Sequence, residues 1–337
     1  MKYIIVSLTL SCVLVSSAAL RAGGTIELTY ANFPPASTFP CIQMERWAKE
    51  IEKRTGGKVR IKTFPGGSLL QAKNIFDGVI AGTADIGNFA MSYQPGRFPV
   101  SEAMDQPLGF SSAKAGSLAL FDLITAHQPK EFAGVKVLTV FTAPPADIMS
   151  IKPVRKISDI KNLELRVSGT GADILKALGG IPVAMPQSET PEALQKGIVK
   201  GSVSSLEVLK DMNYAAYCPY SLNANLYLVS FAVVMNKQKY DSLPVDVKKA
   251  IESLAREHAE WTGEYVDNHV NESITWSKKT MKHENTVISG TDRAQIEKLL
   301  KPVIDAYVKR VAQKGINGKA LIEEAKQSKV KYDRKGK

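Results

Sequence analysis

The sequence predicts an α/β protein of two lobes joined by ordered elements, and three observations carry that reading. Strand-like and helix-like segments alternate along most of the chain, as βαβ units do. One helical pattern runs from Pro244 to about Lys279, some 35 residues against a mean of about 12, and at ~1.5 Å per residue it can cross both lobes. No internal repeat or low-complexity linker separates the lobes, so crossing strands or helices must join them, an arrangement suited to a hinge. With 337 residues, 44% of them hydrophobic, the chain can bury a sizeable core.

Taken in order, "MKYIIVSLTLSCVLVSSAALRAGG" combines Lys2, an apolar run from Tyr3 to Val15 and small residues at Ser16 to Ala19. This is a secretory signal over residues 1–22, with cleavage expected near Ala22. Cys12 lies inside the apolar run, without the context of a lipoprotein box. No later stretch approaches the ~20 consecutive apolar residues of a membrane helix, so the mature chain is expected to carry no span. "TIELTYANF" alternates as a strand and runs into the loop "PPASTFP". Cys41, Met44, Trp47, Ala48 and Ile51 then share one helical face, and Thr55-Gly56-Gly57 ends that helix. "KVRIKTF" alternates as a second strand, "QAKNIFDGVIAG" carries a helical face of Ile75, Phe76, Val79 and Ile80, and "ADIGNFA" is a third strand. A helix containing "AGSLALFDLITAH" precedes the strand "GVKVLTVFTA". Next comes "NLELRVSGTGADILKALGG", a strand, a glycine-bearing turn and a helix start; "LYLVSFAVVMNK" reads as a long apolar strand inside a sheet.

Several chemistries are excluded on spacing. A dinucleotide fingerprint requires a third glycine where the turn after Arg166 has Ile174, and Glu189, at the expected acidic position, starts a helix instead of ending a strand. No Walker loop, G-x-S-x-G, CxxC or HExxH occurs, and His127, His258, His269 and His283 have no ligand spacing, so no cofactor or metal is expected. Loss of Lys2 and Arg21 with the signal takes the formal charge from +11 to +9, a surplus that favours anionic partners. It is scattered over sign-alternating helix faces, and only the tail "KQSKVKYDRKGK" is a basic run, so nucleic acid is not an expected partner. Cys41 and Cys218 are read as two buried thiols, with a disulfide as the alternative.

Arg166 stands out. Leu163, Leu165 and Val167 alternate toward the core, leaving residues 164 and 166 on the other face, near the strand's C-terminal end where ligands of open α/β sheets bind. A guanidinium there can take a carboxylate through two parallel hydrogen bonds; the plainer reading is a solvent-facing arginine on an edge strand.

At this point the segments "WAKEIEKRTGGKVRIKTFPGGSL", "ISDIKNLELRV", "LGGIPVAMPQSETPEALQKGIVKGSVSS", "VVMNKQKYDSLPVDVKKAIE" and "KGINGKALIEE" matter together. Through them the chain resembles the DctP-like solute-binding proteins of tripartite ATP-independent periplasmic (TRAP) transporters. The resemblance implies a two-lobe periplasmic binding protein, type II-like, with a long helix spanning both lobes and a ligand cleft between them. Lobe I would comprise residues 23–147 plus about 233–275, and lobe II about 148–232 plus 276–337. It also implies a periplasmic receptor, not an enzyme, that captures an organic acid and delivers it to membrane permease subunits, with Arg166 pairing the carboxylate. The family motif G-x-V-D-G-x-x-N-P is altered here, with Lys200 in place of the Asp and Ser204 in place of the Asn. A serine can still donate to a carboxylate but leaves more room.

Ser168 and Gly169 at the turn, with Ser204, complete the expected carboxylate site. Strand-end and loop residues supply candidates for the ligand body: Phe33, Ser37, Thr38, Phe39, Asn88, Phe89, Met91, Ser92, Tyr93, Phe141, Thr142, Met185, Tyr227 and Phe231. Arg97 in "YQPGRFP" is the candidate second cation, against a reading as a surface-loop arginine. One strong arginine, a serine for an asparagine and many aromatics point to an aromatic or heteroaromatic monocarboxylate, such as an indole or phenyl 2-oxo acid. The alternatives are a C4 dicarboxylate of the same system and a ligand-sensing module for a signalling receptor.

Overall fold

The computed structural model describes residues 24–333, so the expected signal at 1–22 lies outside the described residues. The chain runs β1 (Ile26–Asn32), α1 (Phe39–Arg54), β2 (Val59–Phe64), α2 (Ile75–Ile80), β3 (Ile86–Ala90), α3 (Ala113–His127) and β4 (Val135–Thr142). It continues through β5 (Asp147–Ser150), β6 (Glu164–Val167), α4 (Gly171–Ala177), β7 (Ile181–Ala184), α5 (Thr190–Gln195), β8 (Gly201–Ser204), α6 (Val208–Asp211) and β9 (Tyr220–Asn223). Last come β10 (Ser230–Asn236), α7 (Lys237–Ser242), α8 (Val245–Met281), β11 (Glu284–Val287), α9 (Gly290–Ala312) and α10 (Gly318–Asp333).

The expected order of elements is present. The alternation in β2 buries Val59 and Ile61, and the apolar stripe of α1 buries Cys41, Met44, Trp47, Ala48 and Ile51. Gly56 and Gly57 follow α1 at φ of 61° and 78°, a left-handed backbone that only glycine adopts without strain. Cys41 and Cys218 are buried and free.

Two sheets form. One has the order β2-β1-β3-β10-β4, with β1, β2 and β3 parallel and β10 antiparallel to both its neighbours. The other has the order β11-β9-β5-β8-β6-β7. The chain crosses between them twice, at residues 143–146 and 224–229, because β4 and β10 pair in the first sheet while β5 and β9 pair in the second. Asp147 ties the crossings together, one carboxylate oxygen accepting from the Ala224 and Asn225 N–H groups at 2.7 and 2.8 Å. The third connection is α8, 37 residues and roughly 55 Å long. Its first turns bury Val247, Ile251 and Leu254 against the first sheet, and its last turns set Val270, Ile274 and Met281 against the apolar cluster beside the second. Among the described residues, no helix is long and apolar enough to cross a membrane.

The C-terminal segment does not stay with the second sheet, where the expected boundary at 276–337 put it. Ile296 and Leu300 of α9 pack there, but Tyr307 and Val311 of the same helix, with Leu321, Ile322, Ala325 and Tyr332 of α10, join the core of the first. Their apolar faces complete the cover of α3.

Candidate ligand-binding cleft

The two halves meet at a cavity at the crossings. The first half contributes Phe33, Thr38, Phe39, Tyr93 and, from β10, Phe231 to its wall, and the crossings contribute Ala143, Pro144, Ala146 and Val229. The second half contributes Arg166, Ser168, Gln187, Val203, Ser204, Ser205, Glu207, Val208, Asp211 and Met212.

Arg166 sits on β6 between β7 and β8, so it is not on an edge strand, and only 2% of it is exposed. Its neighbours Leu165 and Val167 fill the core behind it, as their alternation requires. Nε and Nη2 donate to the Met185 carbonyl at 2.9 and 2.8 Å, Nη1 donates to Gln187 Oε1, and Nη2 reaches the Tyr93 hydroxyl at 3.4 Å. All of these acceptors are neutral, and no carboxylate among the described residues is salt-bridged to Arg166. A buried charge balanced only by neutral oxygens is costly, and an anion in the cavity would offset that cost.

Two donors, Arg166 Nη1 and Ser204 Oγ, converge on Gln187 Oε1, the second at 3.5 Å. The amide nitrogen of Gln187 is buried with no partner among the described residues. The Tyr93 hydroxyl accepts from the Gln187 N–H at 2.9 Å and from Arg166, leaving its own proton free to donate. Donors therefore cluster at one end of the cavity, around the Gln187 amide oxygen.

Aromatic rings form an adjoining wall. Phe33 meets Tyr93 edge-on at 5.4 Å and lies parallel to Phe231 at 6.4 Å, while Phe39 meets Phe231 edge-on at 6.0 Å. Such contacts hold the rings in fixed orientations.

Other expected residues lie elsewhere, and strand alternation explains most of them. Asn88 points toward Asn32, to which its Nδ2 donates at 3.1 Å, while Phe89 points the opposite way into a cluster with Phe76 and Phe98. Thr142 turns toward α3, its hydroxyl donating to the Ala113 carbonyl at 3.3 Å. Phe141 stacks behind Phe231 at 5.2 Å, away from the wall. Tyr227 is buried beside Ser168, their hydroxyls 3.4 Å apart. Met185 offers its carbonyl to Arg166, while its partly buried side chain packs against an apolar cluster of the second half. Ser37 is exposed. Met91, Ser92 and Gly169 line a separate depression next to the cavity. Arg97 is no second clamp: it pairs with Asp77 at 2.7 Å and covers the Phe76 ring. Lys200, in place of the family aspartate, donates outward to the Gly197 carbonyl.

Sequence reasoning missed Gln187, Glu207 and Asp211. Gln187 follows the end of β7 on a 3-10 turn, and Glu207 is the N-cap of α6, four residues before Asp211 at its end, so the i, i+4 carboxylates in "SLEVLKDM" were the available signal. Burial pushes the Glu207 carboxyl up to about 7.

The two glycines of the turn serve close approach. A Cβ at Gly169 would lie 2.2 Å from the Ser92 carbonyl oxygen in the other half, and one at Gly171 would lie 2.2 Å from the Tyr227 hydroxyl. Asp105 makes a further bridge between the halves, accepting from Ser230 N–H at 2.9 Å and from the Thr170 hydroxyl at 3.4 Å.

Comparison with known proteins agrees with this architecture. The family profile DctP, described as bacterial extracellular solute-binding protein, family 7, matches residues 30–310. The chain is 50% identical to a TRAP periplasmic solute-binding protein of Desulfovibrio salexigens, with a TM-score of 0.84 and 92% of this chain and 97% of that one covered. It is 25% identical, with a TM-score of 0.88, to a marine metagenome TRAP solute-binding protein specific for aromatic acid ligands and crystallised with 3-hydroxybenzoate, covering 92% and 100% of the two chains. It is also 26% identical over 279 residues to the 2,3-diketo-L-gulonate-binding periplasmic protein YiaO of Escherichia coli K12, covering 81% of this chain and 84% of that protein. With the profile spanning both halves and their crossings, the chain belongs to the DctP family of bacterial extracellular solute-binding proteins, the solute receptors of TRAP transporters.

Proposed function

We propose that this protein is a periplasmic receptor for an aromatic or heteroaromatic monocarboxylate, of the kind represented by phenyl and indole 2-oxo acids, and that it delivers this acid to TRAP permease subunits. The observation that carries the reading is Arg166, a buried guanidinium without an anionic protein partner, at the donor-rich end of a cavity walled by Phe33, Phe39, Tyr93 and Phe231. The aromatic-acid specificity of the metagenome relative supports it.

In this mechanism the carboxylate takes the place of the Gln187 amide oxygen. Arg166, Ser204 and the Tyr93 hydroxyl donate to it, and Ser168 lines the same end. The flat body lies against the phenylalanines. Because Tyr93 belongs to the first half and Arg166 to the second, the ligand's anchor draws the two halves together. Gly169 permits their approach, and the exclusion of water strengthens the ion pair. The closed surface is what the permease would receive.

Isothermal titration of the protein, expressed with its leader and purified from the periplasm, tests this directly. Phenylpyruvate, indolepyruvate, benzoate, orotate, succinate and malate form the panel. Binding of one or more aromatic acids at least tenfold tighter than succinate and malate is expected; tight succinate binding with no aromatic binding overturns the reading.

A further inference from the structure

The same cavity has a second polar end. Glu207, at the N-cap of α6, and Asp211, four residues on at its last position, both line it. Glu207 is 3% exposed and the Asp211 side chain 5%. Each is held by one oxygen only: Ser205 Oγ donates to Glu207 Oε1 at 2.7 Å, and His269 Nε2 lies 2.7 Å from Asp211 Oδ1. The other two oxygens, Glu207 Oε2 and Asp211 Oδ2, are buried with no hydrogen-bond partner among the described residues. Arg166 does not serve them, since its donors go to Met185, Gln187 and Tyr93. His269, on α8, meets the pair at Asp211 alone, and its other ring nitrogen faces Glu272 at 3.2 Å.

Resting on the reading of the cavity as an aromatic-acid site, we infer that the preferred ligand carries a hydrogen-bond donor on its body, a ring N–H, hydroxyl or ammonium, received by Glu207 and Asp211. Two unmet acceptors beside an apolar wall favour a body that supplies a proton to them, and they reject a body that buries them against carbon. The acceptor end thus selects among aromatic acids in the way a site built to bond a hydroxyl rejects the analogue lacking it. Burial and the neighbouring Asp211 hold the Glu207 carboxyl high, which a donating or cationic ligand group would reverse.

The test compares phenylacetate and phenylpyruvate with their meta- and para-hydroxy, aminomethyl and methoxy derivatives by calorimetric titration. At least one hydroxy or aminomethyl derivative should bind ten times tighter than both its parent and its methoxy counterpart, and Glu207→Leu should cut that ratio below threefold. The ranking in the unaltered protein decides the matter even if Glu207→Leu does not fold, and Asp211→Asn provides a second variant. Donor-bearing acids no tighter than their parents in every series overturn the inference, as does a ratio that survives both substitutions. Parent acids that bind and are lost in Arg166→Ala, with no gain from any donor, would leave the aromatic-acid reading standing and remove this inference alone. No binding by any acid in either series would remove both.

Discussion

At the scale of single residues, the proposed specificity rests first on Arg166. Its four hydrogen bonds all go to neutral groups, and an anion entering the cavity would balance its charge. Arg166→Ala should therefore weaken binding of the preferred acid by at least about 2 kcal/mol, or more than about 30-fold by calorimetry. Arg166→Lys should not restore it, because an ammonium cannot hold the Met185 carbonyl and a carboxylate with one planar fork. Tyr93→Phe removes one neutral donor and should cost about 1 kcal/mol, roughly fivefold. Arg166 was legible in the sequence because apolar residues flank it on alternating positions at a strand end. Asn88, Phe89 and Thr142 show where that logic stops. Being near a strand end brings a residue to the right rim, but the two-residue period sends its side chain to one face or the other. In β3 it sends Asn88 to Asn32 and Phe89 to Phe76. Gln187, Glu207 and Asp211 escaped because they sit on a turn and a short helix after β7 and β8, where no strand alternation marks which way a side chain points.

At the scale of elements, the long helix and the glycine turn carry the geometry. The pattern from Pro244 onward announced α8, but not what its face would meet. Asp267, in its second half, accepts from the Ala113 and Lys114 N–H groups at 2.7 and 2.9 Å and so caps α3 from outside that helix. Asp267→Ala should lower stability by about 1 kcal/mol, read in chemical denaturation. The four-residue strands β5 and β9 went unread, since so short a segment directly after a crossing shows too little alternation to distinguish it from loop. At the turn, Gly169→Ala forces a Cβ against the Ser92 carbonyl, a backbone atom that cannot rotate away. Where closure around the ligand makes this contact, ligand affinity should fall more than tenfold while the unliganded melting temperature stays unchanged. An equal loss in both would show that Gly169 acts in folding and not in closure.

At the scale of the whole molecule, the halves share buried acids whose protonation couples folding to pH. Burial pushes the carboxyls of Asp105, Asp147 and Glu207 up to about 7 and that of Asp267 up to about 6. The folded state thus holds protons that the unfolded chain has released. Their contribution is full below the ordinary carboxylate range and is lost as pH rises through about 6 to 7. His258 works in the opposite direction: burial holds it down at about 3, so it costs stability only as pH falls below about 6.5. The melting temperature should rise from pH 8 to pH 6.5, and Asp105→Asn should flatten that rise. A melting temperature constant over this interval would contradict the buried-acid account. The two-lobe plan itself was legible from the alternation of elements, the long helix and the absence of any linker. The return of α10 to the first sheet was not, because an amphipathic stripe shows that a helix docks without showing where. What joins all three scales is one guanidinium on the second half that Tyr93 of the first half also touches. A crystal structure of the protein with bound phenylpyruvate or indolepyruvate tests that placement most directly. The account predicts a carboxylate oxygen within about 3 Å of both Arg166 and Ser204, with the ring against Phe33, Phe39 and Phe231; a carboxylate bound elsewhere, with Arg166 still bonded to Gln187, would contradict it.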